Sequence, residues 1–120
     1  MRALFDTNIL VDYLNGVEDA RDELARYERT AISVITWIEV MVGARRDAEA
    51  PTRRFLASFE RVDVTDSIGE RAVALRQTMK LRLPDAIILA TAQAENLLLV
   101  TRNTKDFKTD QPGIRVPYRL

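Results

Sequence analysis

The run Leu97-Leu98-Leu99-Val100 sets four apolar residues side by side and closes on Thr101. A strand with one wet face alternates apolar and polar residues, whereas an unbroken apolar run fits a strand covered on both faces. Central strands of parallel sheets are covered in that way. Such a sheet needs helical crossovers between its strands, and the rest of the chain reads as supplying them. Arg2 to Phe5 reads as a first strand ending at Asp6, with a helix from about Asn8 to the Asn15-Gly16 pair. Glu18 to Arg29 reads as a charged surface helix with Leu24 and Tyr27 inward, and Ala31 to Ile35 as the second strand. Thr36 then caps a helix to about Arg46, and Pro51 opens another reaching about Phe59. A short strand is expected around Val62 to Val64, then a helix capped by Ser67 and running to about Lys80. Pro84 suits the first turn of a helix that ends near Glu95. After the strand Leu97 to Thr101, the tail from Thr104 to Leu120 is loop with one edge strand near Ile114 to Val116. The expected fold is one three-layer α/β/α domain over residues 1–120 with a short, mainly parallel sheet.

Absent residues narrow the chemistry further. The chain has no cysteine and no histidine, which excludes a Ser-His-Asp triad, a Cys-His pair and a Cys/His zinc site. Its glycines, Gly16, Gly43, Gly69 and Gly113, are isolated, so no phosphate loop is present. Carboxylates are left to carry any catalysis, and oxygen ligands of that kind favour magnesium or manganese. Formal net charge is zero, which rules out a bulk polycation coating nucleic acid. Only Lys80, Lys105 and Lys108 are lysines, the other basic residues being arginines, whose forks suit phosphates; a genomic base bias would give the same preference. The most apolar stretch, Ala86 to Val100, is broken by Gln93, Glu95 and Asn96, so no membrane span is expected. Asp6 and Asn8 interrupt any leader-like run at the start, and with no cysteine the expectation is a cytoplasmic protein.

Acidic residues fall at junctions between elements, on the rim where parallel sheets bind ligands. Asp6 follows the first strand, Glu39 lies in the first turn of the helix after the second, and Asp85 lies in the first turn of the helix before the last central strand. Asn103 or Asp106 follows that strand. Clustered carboxylates repel and resist joint ionisation, a conflict that a divalent cation resolves. The cation then activates water and clamps a phosphodiester. Each residue also has a local reading. Asp6 or Thr7 caps a helix; Thr36-Trp37-Ile38-Glu39 matches a capping box; Asp85 complements a helix dipole; Asp106 ends a turn. Ser67-Ile68-Gly69-Glu70 matches the capping box as well, and Glu70 is given no function. Thr7 and Thr101 are candidates to orient the carboxylates. Arg102 meets phosphate if Thr101 faces the interior, while Trp37 and Tyr13 suit packing better than base stacking.

Asp6-Thr7-Asn8-Ile9-Leu10 resembles the opening motif of the PIN-domain family, and Leu83 to Ala92, with Pro84-Asp85-Ala86, resembles its third acidic motif. Val100-Thr101-Arg102-Asn103-Thr104-Lys105-Asp106-Phe107 resembles the closing motif, and Glu39 matches the second acidic position. The resemblance covers essentially the whole chain and is to the VapC-type toxins of bacterial toxin–antitoxin modules. It implies a magnesium- or manganese-dependent endoribonuclease, homodimeric and silenced by a cognate antitoxin, with Asp6, Glu39 and Asp85 as metal-binding acids. At the fourth acidic position this chain has the neutral Asn103, so either its carbonyl or Asp106 completes the set. The alternative is a catalytically weakened module that binds RNA or a protein without cutting. An aspartyl phosphatase is disfavoured because Asn8 stands where its second aspartate belongs, and a phospho-receiver because residues 1–5 hold no acid.

Overall fold

The computed structural model describes residues 2–108 and 110–120. Along the chain run β1 (Arg2–Phe5), α1 (Thr7–Leu14), α2 (Glu18–Ala25), β2 (Arg29–Ser33), α3 (Val34–Gly43), a 3₁₀ turn (Arg46–Ala48) and α4 (Glu49–Ala57). They are followed by β3 (Glu60–Val62), α5 (Asp66–Met79), α6 (Leu83–Ala94), β4 (Leu98–Val100) and β5 (Ile114–Arg115). The strands form one sheet in the order β3-β2-β1-β4-β5, and every pairing among the described residues is parallel. From β1 the chain builds outward to β2 and β3, then returns to place β4 and β5 on the other side. The switch point therefore lies between β1 and β4, where the crevice at the strands' carboxyl ends opens. Phe5 pairs with Val100 there, so Asp6 and Thr101 leave the sheet side by side.

Side chains of each strand alternate between two cores. Leu4, Ala31 and Leu99 face α5 and α6, joining Ile68, Ala72, Ala86, Ile88 and Leu89. Ala3, Phe5, Ile32 and Val100 face the opposite layer, joining Ile9, Leu10, Val40, Leu56 and Phe59. The result is the expected α/β/α stack, with a sheet that is wholly rather than mainly parallel among the described residues.

Element boundaries depart from the sequence reading where local pattern and long-range pairing compete. The α2 helix stops at Ala25 instead of Arg29, because Arg29 and Thr30 are drawn into β2 opposite Arg2 and Ala3. Leu24 and Tyr27 still pack inward. β2 ends at Ser33, whose hydroxyl caps α3 by accepting the Ile35 N–H at 3.2 Å. Val34 and Ile35, β-branched and read as strand, begin the helix, so Thr36 is not its cap. α3 also ends earlier than expected, at Gly43. The helix assigned to open at Pro51 starts at Glu49, with Pro51 inside the first turn, where its missing N–H costs nothing. β3 covers Glu60–Val62 rather than Val62 to Val64. Thr65, not Ser67, caps α5 by accepting the Ile68 N–H at 3.2 Å. Gly16 takes φ +82 after α1, the left-handed turn that stops a helix and suits glycine.

Candidate active site

Asp6 is at once a helix cap and the centre of a cleft. Its Oδ1 accepts the Thr7 N–H at 2.7 Å and its Oδ2 accepts the Thr101 hydroxyl at 2.7 Å. Its own N–H donates to the Val100 carbonyl at 2.9 Å, fixing the residue to the sheet. The side chain is buried, and burial pushes its carboxyl up from the ordinary value near 3.8 to about 6. The Thr101 and Thr7 donors oppose that rise, while the charges of Asp85 and Glu39 add to it. Both acids are thus close enough to be felt at Asp6, as the sequence reading required.

Glu39 lies in the second turn of α3, not the first, because that helix starts at Val34. Its Oε1 accepts the Thr7 hydroxyl at 2.7 Å, a contact across 32 positions that a capping box would not make. Thr7 Oγ1 also lies 3.1 Å from the buried Thr36 hydroxyl. Asp85 stands in the first turn of α6, where Pro84 also sits. Burial raises its carboxyl; the Arg82 guanidinium lowers it, and the neighbouring Asp106 raises it again. Arg82 reaches Asp85 Oδ2 at 3.3 Å and Asp106 Oδ2 at 3.5 Å, joining the two acids.

Asn103 and Asp106 form a closed turn. Asn103 Nδ2 donates to Asp106 Oδ2 at 2.9 Å, and the Asp106 N–H donates to Asn103 Oδ1 at 3.2 Å. The amide oxygen of Asn103 is therefore engaged by backbone, while the carboxylate of Asp106 is brought next to Asp85. Thr101 is fully buried and bonds both Asp6 and the Asn103 N–H. Thr7 and Thr101 each hold one acid, the orienting role expected of them.

The cleft is about 510 Å³ and lined by Asp6, Asn8, Glu39, Asp85, Arg102 and Asn103 among others. Its donor set is oxygen only, which fits a hard divalent cation; such a cation would offset both the burial that chiefly raises Asp6 and the repulsion from Asp85 and Glu39 that adds to it. Among the described residues no three carboxylates are close enough to enclose an ion, so the acids form an open rim instead of a finished cage. Tyr13 stacks on Phe55 at 4.6 Å and Trp37 packs under the guanidinium groups of Arg53 and Arg61, so both serve packing. Arg82 and Asp12 went unread in the sequence, and Asn8 was read into the site only as part of the opening motif. Asn8 and Asp12 are four apart on α1 and share the face turned to Arg102, but which residue they meet is set by a long-range contact.

A family model described as PIN domain matches residues 3–110. The chain belongs to the PIN-domain family. Ribonuclease VapC10 of Mycobacterium tuberculosis is 34% identical over 112 residues, covering 87% of this chain and 84% of that protein. Among solved structures, a toxin-antitoxin complex from Klebsiella pneumoniae contains a chain 52% identical, with TM-score 0.94 and coverage of 98% and 99%. VapBC2 from Rickettsia felis, bound to a DNA fragment from its promoter, is 25% identical with TM-score 0.77, covering 100% and 99%. The three-layer parallel architecture is thus that of the PIN fold, and Asp6, Glu39 and Asp85 line the cleft at its switch point. No helix among the described residues is long and apolar enough to cross a membrane.

Proposed function

We propose that this PIN-domain chain is a divalent-metal-dependent endoribonuclease, the toxin of a toxin–antitoxin pair acting in the cytoplasm. The observation that carries the reading is the gathering of Asp6, Glu39 and Asp85, from three separate segments, around one cleft. Ribonuclease activity in a relative that shares a third of its residues supports RNA as the substrate. Asp6, Asp85 and Glu39 are the residues that would hold the ion, magnesium or its substitute manganese. Asp106 supplies the fourth negative charge through Asp85, while Asn103 fixes the turn that presents it. A cation held there would supply the Lewis acidity that activates water and neutralises phosphodiester charge. Thr7 and Thr101 keep the lone pairs of Glu39 and Asp6 aimed, so little reorganisation is needed when substrate arrives.

A groove of about 380 Å³ adjoins the cleft and shares Val11 and Glu39 with it; Leu14, Val40 and Pro51 add apolar wall. An apolar groove ending at carboxylates suits a peptide with apolar anchors and one cation, and we assign it to the antitoxin. The Klebsiella pneumoniae neighbour is a toxin-antitoxin complex, which supports an antitoxin as partner.

Magnesium-dependent cleavage of a mixed RNA pool, with Asp85→Asn run alongside, tests the reading. Cutting that disappears with EDTA and in the variant is expected. Folded, inhibitor-free protein that neither cuts RNA nor binds manganese would replace it with the non-cutting binding module.

A further inference from the structure

Two buried acids in this chain are held in the same way. Asp12 accepts Arg102 Nε at 2.7 Å, Arg102 Nη2 at 3.0 Å and the Tyr118 hydroxyl at 2.7 Å. Glu23 accepts Arg115 Nε at 2.7 Å, Arg115 Nη2 at 3.0 Å and the Tyr27 hydroxyl at 2.6 Å. Both acids are 4% exposed. Each triad ties the C-terminal tail to the helices, through Arg115 in one and Tyr118 in the other. The Glu23 triad lies away from the catalytic cleft and is a pure staple. The Asp12 triad differs in one respect: its arginine lines the cleft that holds Asp6, Glu39 and Asp85.

Arg102 is also the best-fixed cation of that cleft. Its backbone N–H donates to Asn8 Oδ1 at 3.1 Å, and Asn8 Nδ2 lies 3.4 Å from both Asp6 Oδ2 and Thr101 Oγ1. Main chain and acid site therefore share one frame. Nε and Nη2 are gripped from behind by Asp12, while Nη1 takes no hydrogen bond among the described residues. An arginine held on one edge keeps donors on the other in a fixed direction, so little freedom is lost on meeting a phosphate. Arg82, by contrast, is three-quarters exposed and already spans Asp85 and Asp106.

We propose that Arg102 binds an RNA phosphate flanking the metal site, with Asp12 and Tyr118 as positioning residues behind it. The ligand class rests on the ribonuclease reading.

The test is anisotropy of a fluorescein-labelled, mixed-sequence single-stranded RNA, titrated with protein at several potassium chloride concentrations, with calcium in place of magnesium to suppress cutting. Magnesium-dependent cleavage is assayed on the same preparations. Arg102→Gln is expected to weaken binding about tenfold. It should also lower the slope of log K against log salt by about 0.7, the loss of one phosphate contact. The double variant Asp12→Asn with Arg102→Gln keeps net charge and a hydrogen-bonding pair, and should show the same two losses. Tyr118→Phe should weaken binding by a smaller factor with the slope unchanged, because the charge remains. The matched pair Glu23→Gln with Arg115→Gln should lower thermal stability and leave both binding values at wild type. Wild-type affinity and slope in the Asp12/Arg102 double variant, or equal losses in the Glu23/Arg115 variant, would overturn the proposal. Wild type that binds RNA with this dependence on Arg102 but never cuts would sink the nuclease reading and keep the phosphate contact. Wild type that binds no RNA would overturn both.

Discussion

At the scale of single residues, Asp6 shows what the site costs the fold. A carboxyl whose value is raised in the folded state binds its proton more tightly there than in the unfolded chain. Folded stability is then full below the unfolded value near 3.8 and falls as pH rises to about 6. The displacement corresponds to a penalty on the order of 3 kcal/mol in the metal-free protein at neutral pH. Asparagine is nearly isosteric, is an equally good helix cap and carries no charge. Asp6→Asn should therefore raise the melting temperature in EDTA at pH 8, change it little at pH 4, and abolish cleavage. Thermal melts at the two pH values check this; a variant that melts lower at both would contradict a buried, strained carboxylate. Asp6 was legible in the sequence because it follows a strand and precedes a helix. Its partner Thr101 was legible for the same reason, as the residue closing the last apolar run. The grip of Asp12 on Arg102 was not, because it spans 90 positions and leaves no mark in any local pattern.

At the scale of elements, the helices were found and their starts misplaced. Thr36 and Ser67 each lie three residues before a glutamate and so mimic capping boxes, yet the caps are Ser33 and Thr65. In α3 the β-branched Val34 and Ile35 favour a strand locally, but pairing of β2 with β1 and β3 ends at Ser33 and releases them to the helix. The shift has a functional consequence. With the cap at Ser33, Glu39 turns from a backbone partner into a side chain that meets Thr7. Ser33→Ala should cost about 1 kcal/mol in urea denaturation. The same substitution should reduce cleavage, because the helix that carries Glu39 loses its anchored end. A neutral Ser33→Ala would mean that α3 starts elsewhere. α6 gave no such trouble, since Pro84 fixes φ in the first turn and marks where the helix begins.

At the scale of the whole molecule, the strand order β3-β2-β1-β4-β5 does the assembling. It brings the ends of β1 and β4 together, so residues 6 and 101 become neighbours, and it sets α3 and α6 at the same rim. Alternation of strands and helices made the layered parallel architecture legible, because buried parallel strands leave unbroken apolar runs. Strand order is not written in any run, and only the structure gives it. The fourth acidic position is the remaining departure: Asn103 secures a turn, and Asp106 carries the charge to Asp85. In the proposed site, a divalent cation among clustered carboxylates favours attack by an activated water over attack by the ribose 2′-hydroxyl. The ends of its products record which nucleophile was used. The decisive measurement is therefore end-group analysis of RNA cut by the purified protein in magnesium. Fragments with 5′-phosphate and 3′-hydroxyl ends, absent with EDTA and in the Asp85→Asn variant, are the predicted result. Fragments ending in 2′,3′-cyclic phosphate, or cleavage that persists in the variant, would contradict it.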